Sequence, residues 1–135
     1  MANFLFNDAR EAFLTGQINW LEDTIKVMLV HAGIDLTASD HHVLSDVGTS
    51  FRVNSGPITL TNKTAAGGAA DGADCTFTAV TGSSIRWIVI YRDGENEADS
   101  LLIAAIDTAT GLPITPNGGD IIVTWDNGQN KIFKL

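Results

Sequence analysis

The chain has 135 residues, a length that fits one domain, residues 1–135, and disfavours a second independent core. Charged residues make up only 18% of it, below the roughly 25% usual for soluble domains, so we expect a partner to cover some apolar surface. The net charge of −8 opposes approach to nucleic-acid phosphates and disfavours direct DNA binding.

The N-terminal segment, residues 1–20, is rich in aromatic and aliphatic side chains. Its spacing predicts one short helix over residues 3–16, with Asn3 or Asn7 as the N-cap and Gly16 just past the C-terminus. The segment either packs on its own domain or acts as an assembly arm that reaches a neighbouring subunit. In the second case its candidate interface anchors are Phe4, Phe6, Phe13, Leu14 and Trp20.

Strands dominate the rest of the chain. Thr24–Ala32 alternates in the manner of a strand with one clearly apolar face. The polar stretch Gly33–Thr49 and the small-residue run Ala65–Asp74 are predicted as loops. Further predicted strands are Phe51–Val53, Pro57–Thr61, Cys75–Val80, Ile85–Arg92 and Ser100–Asp107.

The C-terminal residues predict a β-hairpin. Gly119–Trp125 and Asn130–Leu135 flank Asp126-Asn127-Gly128, a signal for a type I′ turn, in which both central residues have positive φ. In all, about seven or eight short strands without helical crossovers predict a mainly β fold, an antiparallel β-sandwich or barrel with one short N-terminal helix.

Candidate catalytic and metal-binding residues do not form a recognisable pattern. The adjacent His41 and His42 would point to opposite faces of an extended chain, and His31 lies outside any metal-ligand spacing. The acidic run over residues 93–99 lacks the ligand spacing of a calcium loop and is predicted as a solvated connection between strands. We therefore expect no catalytic, cofactor-binding or metal site, although His41 and His42 leave a pH-sensitive contact open.

A single cysteine, Cys75, excludes an intrachain disulfide and is predicted to be a buried structural thiol. The sequence shows neither a signal peptide nor an apolar run long enough for a membrane span. We expect the protein to be made in a cytoplasm and to have no membrane partner.

Several strings resemble small structural proteins of tailed bacteriophages. They are Asn7–Trp20, Asp107–Pro116, Asn117–Asp120, Val123–Gly128 and Lys131–Leu135. The resemblance covers both ends of the chain and much of the middle. No motif in it encodes a catalytic mechanism.

The resemblance implies a non-enzymatic virion protein. The favoured role is a capsid decoration (cement) protein, a homo-oligomer that binds the major capsid protein on the outer surface and stabilises the shell. A tail, baseplate or fibre component is the alternative. A carbohydrate-binding module is less favoured, because it would need an exposed aromatic platform, whereas Trp20, Trp87 and Trp125 lie in apolar runs.

Overall fold

A computed structural model describes residues 3–109, 111–125, 128–129 and 131–135, and the fold is mainly β. Its one α-helix among these residues, α1, spans Asn7–Leu14, and three 3-10 turns span Leu44–Asp46, Thr49–Phe51 and Glu97–Asp99. The strands are β1 (Phe4–Leu5), β2 (Ile25–His31), β3 (Ile58–Thr59), β4 (Thr64–Ala66), β5 (Ala69–Asp71), β6 (Cys75–Phe77), β7 (Ile85–Arg92), β8 (Leu102–Ile106), β9 (Ile121–Val123) and β10 (Phe133–Lys134). Nowhere in these ranges is a helix long and apolar enough to cross a membrane.

The largest sheet has five antiparallel strands in the order β1-β8-β7-β2-β3. Its longest strands, β7 and β2, pair along their length, and the residues between their ends are almost all buried. Successive side chains of a strand point to opposite faces, so both faces of this sheet are covered. A continuous run of β-branched and aromatic residues, as in Ile85–Arg92, is typical of such a strand.

Two smaller antiparallel sheets complete the fold. One pairs β6 with β9, and the other has the order β10-β5-β4. Phe77 of β6, Val123 of β9 and Trp125, two residues beyond β9, join one core with the five-stranded sheet. The sheets remain open, so the architecture is compatible with a β-sandwich and not with a closed barrel.

The N-terminal helix is shorter than predicted because its first residues belong to the sheet. Phe4–Leu5 forms β1 and pairs with Ala104 and Ala105 of β8. The helix then begins at Asn7, and its N-cap is Phe6, which makes no side-chain capping bond. The spacing of apolar residues within the N-terminal segment could not reveal that Phe4 and Leu5 pair with residues about 100 positions later in the sequence.

Neither predicted asparagine caps the helix at its N-cap position. Asn3 instead binds the end of β8, where its Oδ1 accepts hydrogen bonds from the backbone N–H groups of Asp107 (3.0 Å) and Thr108 (3.3 Å). The prediction for Gly16 is confirmed, since it follows the helix with a φ of +75°.

The prediction that Ala65–Asp74 is a loop is wrong, because a β-hairpin covers most of this range. Ala66 of β4 pairs with Ala69 of β5 across a turn of two glycines, Gly67 and Gly68. Both have positive φ, +59° and +81°, as a type I′ turn requires. Ala69 and Ala70 are buried, and the hairpin raises the strand number above the predicted seven or eight.

The predicted C-terminal hairpin does not form as a strand pair. β9 pairs with β6, and β10 pairs with β5, so the two strands belong to different sheets. The predicted turn residues Asp126 and Asn127 lie outside the described residues. The predicted strand Phe51–Val53 is also wrong: a 3-10 turn ends at Phe51, and only Arg52 forms a bridge, to Val30 of β2.

Candidate functional site

The five predicted interface anchors lie in different environments. Phe6 and Trp20 are buried in the chain's own core, and Phe4 and Phe13 are half-buried against it. Leu14, the last residue of α1, is 88% exposed. The segment is thus integral to the domain, and of the five only Leu14 is left largely to solvent.

Exposed apolar side chains lie at one groove and close to it in sequence. The described residues include four large hydrophobic side chains that are mostly exposed, among them Leu14, Leu21 and Leu135. Leu21 and Leu135 line a groove of about 380 Å³ together with Phe13, Trp20 and Phe133, and Leu14 follows Phe13 in α1. We use the name apolar patch for the lining residues Phe13, Trp20, Leu21, Phe133 and Leu135 together with Leu14.

Aromatic contacts fix the floor of the apolar patch. The ring of Phe133 lies edge-on to Trp20, with 5.2 Å between centroids, and 6.0 Å from Phe13. Trp20 Nε1 donates a hydrogen bond to the carbonyl of Asp71 in β5, at 3.2 Å. Because three elements hold these rings, the patch is formed before any partner arrives, which lowers the entropic cost of binding.

The three histidines do not converge. His31 Nδ1 lies 2.9 Å from the Ser83 carbonyl, His41 Nδ1 accepts from the Thr37 N–H, and His42 Nδ1 lies 2.9 Å from Asp8 Oδ2. Within the described ranges, no three His, Cys, Asp or Glu side chains are grouped so that they could hold a metal ion. The contact between His42 and Asp8 joins the chain between β2 and β3 to α1, and both side chains are partly exposed to solvent.

The acidic run over residues 93–99 connects β7 and β8, and Glu95 through Asp99 are exposed. Two of its carboxylates are used inside the chain. Asp93 Oδ2 lies 3.2 Å from Lys26 Nζ, and Glu97 pairs with Arg52. Two ion pairs therefore hold this connection between strands.

Arg52 is a structural residue that sequence reasoning missed. Its guanidinium donates to the backbone carbonyls of Leu44 and Val47, at 2.9 and 2.6 Å, and to both carboxylate oxygens of Glu97, at 2.9 and 3.2 Å. Arg52 thereby joins the long connection between β2 and β3, residues 33–57, to the acidic connection between β7 and β8. No local motif signals this role, because Glu97 lies 45 residues away.

A second arginine holds two carboxylates. Arg86 Nη1 lies 2.6 Å from Asp35 Oδ1, and Arg86 Nε lies 3.6 Å from Asp107 Oδ2. The other oxygen of Asp107 is buried and has no hydrogen-bond partner among the described residues. Arg86 therefore lies between an exposed carboxylate, Asp35, and a buried one, Asp107.

The predicted burial of Cys75 is confirmed. Burial, with a smaller contribution from the negative charge of Asp74, raises the pKa of the Cys75 thiol to about 11. The thiolate is the nucleophilic form of cysteine. Cys75 therefore stays a protonated core residue at neutral pH.

The tryptophans are core residues, as their apolar surroundings predicted. Trp20, Trp87 and Trp125 are at most 7% exposed. Each indole N–H donates to a backbone carbonyl, that of Asp71, Ile34 or Ala73 respectively. Buried rings cannot form a flat sugar-binding platform.

A scan against models of known protein families finds no match to this chain, and a search of curated proteins finds none either.

Proposed function

We propose that this chain is a non-enzymatic structural protein of a tailed-phage virion, with the role of a decoration protein on the outer capsid surface. The observation that carries the proposal is the apolar patch. Its exposed members, Leu14, Leu21 and Leu135, are 88%, 51% and 64% exposed. Exposed apolar side chains that line a groove, as Leu21 and Leu135 do, mark protein interaction sites.

In this proposal the apolar patch packs on the major capsid protein. Burial of the three leucines against a complementary surface is favourable because apolar area leaves water. The rings of Trp20 and Phe133 lie beneath, and aromatic anchors of this kind dominate the binding energy of many interfaces. A protein that contacts neighbouring shell subunits, with further copies of itself beside it, would resist outward pressure on the shell.

The test is the position and copy number of the chain in purified particles, measured by cryo-electron microscopy and quantitative mass spectrometry. The proposal expects a copy number comparable with that of the major capsid protein and density on the outer shell. A few copies confined to the tail would overturn the decoration role and make the chain a tail or baseplate component. Absence from particles would overturn the virion role altogether.

A matched pair of variants connects the patch to assembly. Leu21→Asp places one charge in the apolar patch, whereas Ile122→Asp places one charge at an exposed hydrophobic residue outside it. We expect Leu21→Asp to fold but to be lost from particles, and Ile122→Asp to be incorporated normally. Equal incorporation of both would remove the patch from the proposal.

A further inference from the structure

A second groove lies beside β10, between that strand and β1. Its volume is about 500 Å³. Phe133 and Leu135 of the apolar patch also line this groove, but charged side chains line it as well. β1 contributes Phe4 and Leu5, α1 contributes Arg10, and β10 contributes Phe133 and Lys134. Ala104 and Ile106 of β8 line it as well. We call it the β1–β10 groove.

Both flanking strands are sheet edges. β1 ends the five-stranded sheet, and β10 ends the three-stranded sheet. In an antiparallel ladder, residues that bond the partner strand alternate with residues whose N–H and C=O point the other way. The Phe6 N–H donates a hydrogen bond to the carbonyl of Ile103 in β8, at 2.9 Å. Leu5 is the adjacent residue in β1, so its backbone N–H and C=O point away from β8.

The same argument applies to β10. Leu135 N–H donates to the Gly68 carbonyl at 2.9 Å, so the backbone N–H and C=O of Lys134 point away from β5. No backbone hydrogen bond joins these outward groups of Leu5 or Lys134 to any other described residue. Among the described residues, the groove thus has one unpaired backbone N–H and C=O at the edge of each flanking strand, which is the arrangement that accepts an added strand.

The two cations that line the groove, Arg10 and Lys134, have no charged partner among the described residues. Elsewhere in the described chain, each lysine and arginine holds a partner. Arg10 and Lys134 are exposed and make no ion pair or side-chain hydrogen bond with a described residue. In a chain with net charge −8, two free cations at one groove are a local exception to the acidic surface.

We infer that the β1–β10 groove binds an extended peptide segment of a partner protein, one in which apolar side chains alternate with carboxylates. The segment would add as a strand to the edge of β1 or β10. Its alternate apolar side chains would pack on Ile106 and Phe133, and its carboxylates would pair with Arg10 and Lys134. This inference goes beyond the proposed virion role and does not require it.

A peptide fits the groove better than a nucleic acid. The free backbone groups of Leu5 and Lys134 supply N–H donors and C=O acceptors at the edge of a strand, a pattern that another peptide backbone complements. A phosphate chain offers acceptors only, and it would be repelled by the net charge of −8.

The probe is a fluorescein-labelled peptide in which valine alternates with glutamate, titrated with the full chain and followed by fluorescence anisotropy. Two comparison peptides carry lysine in place of glutamate, or proline in place of alternate valines, which removes backbone donors. We expect saturable binding of the acidic peptide and weakening by at least about tenfold for each comparison peptide, as expected when charge-assisted or backbone hydrogen bonds are lost.

Matched variants locate the site. Arg10→Ala with Lys134→Ala should weaken the acidic peptide by about tenfold or more. Ser45→Asp with Ser50→Asp changes the net charge by the same amount at exposed positions of the long connection and should leave binding unchanged. Circular dichroism of both double variants should match the parent, because none of the four side chains is buried.

Three results would overturn the inference. They are failure of the parent chain to bind the acidic peptide, equal binding of the lysine peptide, and equal loss of binding in both double variants. Sedimentation of the chain alone decides a fourth case. Self-association that is lost in Arg10→Ala with Lys134→Ala would mean that a second copy, rather than a partner's peptide, occupies the groove.

Discussion

The long connection 33–57 and the surface around β10 use the same residue types in opposite ways. In the connection, Arg52 donates to Leu44, Val47 and Glu97, and its side chain is largely buried. Around β10, Arg10 and Lys134 hold no partner within the described chain, and Leu135 is exposed. The cation of the connection has its partners inside the chain, whereas the two cations around β10 have none among the described residues.

This difference separates folding from binding. A cation that bonds two backbone carbonyls and a carboxylate fixes the path of the chain, and its removal leaves acceptors without donors. A cation in solvent adds almost nothing to stability and remains available to a partner. Removal of Arg52 should therefore lower the free energy of unfolding, whereas removal of Arg10 or Lys134 should change binding and leave stability intact.

The largest expected effect contrasts two apolar residues of the N-terminal segment. Phe6 is fully buried and packs edge-on to Phe4 at 5.1 Å, whereas Leu14 is 88% exposed. Phe6→Ala should lower the free energy of unfolding by about 3–5 kcal/mol, since it leaves a cavity in the core. Urea denaturation measures it, and Leu14→Ala, with a change near zero, is the control. Equal effects would show that the segment does not divide into buried and exposed parts in this way.

Arg52→Ala tests the connection itself. We expect a loss of about 2–3 kcal/mol, because the carbonyls of Leu44 and Val47 lose a charged donor and Glu97 loses its partner. Arg52→Lys should recover only part of the loss, since one ammonium cannot reproduce the planar fork of donors. Thermal unfolding of the parent and the two variants measures both. An Arg52→Ala variant as stable as Arg10→Ala would erase the distinction between the two regions.

Strands of the large sheet could be predicted because their signal is local. Ile85–Arg92 was predicted with the bounds that β7 has, and Thr24–Ala32 exceeds β2 by one residue at each end. A buried strand needs a run of apolar and β-branched residues, and such a run is visible in the sequence alone. The strand Phe4–Leu5 was missed because only its pairing with Ala104 and Ala105 makes it a strand.

The β4–β5 hairpin was missed for a different reason. Alanine and glycine have low β propensity, so Ala65–Asp74 has the composition of a loop. The hairpin depends on backbone conformation at Gly67 and Gly68, and two consecutive glycines permit that conformation without requiring it. The Arg52 contacts and the β1–β10 groove depend on residues brought together from distant parts of the chain, so no local pattern indicates them.

Gly67→Val tests this hairpin with an intermediate effect. Gly67 has a φ of +59°, and an added Cβ would meet no atom within 4 Å, so the cost is conformational alone. We expect a loss of about 1–2 kcal/mol for a β-branched residue with positive φ. Gly67→Asn should be nearly neutral, because asparagine adopts this conformation readily. Chemical denaturation of both variants gives the comparison. If asparagine costs as much as valine, the turn does not depend on positive φ.

The smallest expected effect is the pH dependence of the Glu97–Arg52 pair. The hydrogen bonds from Arg52, and then its positive charge, hold the pKa of Glu97 below the ordinary value of 4.5, against a smaller opposing effect of burial. The unfolded chain loses Arg52 as a partner and keeps the ordinary value. A carboxyl group with a lowered pKa in the folded state stabilises the fold above its unfolded pKa, and this stabilisation disappears as the pH falls through the folded pKa.

Glu97→Gln removes this titration while it keeps the shape of the side chain. The difference in unfolding midpoint between the parent and Glu97→Gln should therefore be constant above pH 4.5 and should shrink as the pH falls below it. Glu95→Gln removes the same charge from the same connection, at a carboxylate without an ion pair to a described residue, and should show no such change. A difference that stays constant on acidification would mean that the ionised Glu97 contributes nothing, and that Arg52 holds the connection through the carbonyls of Leu44 and Val47 alone.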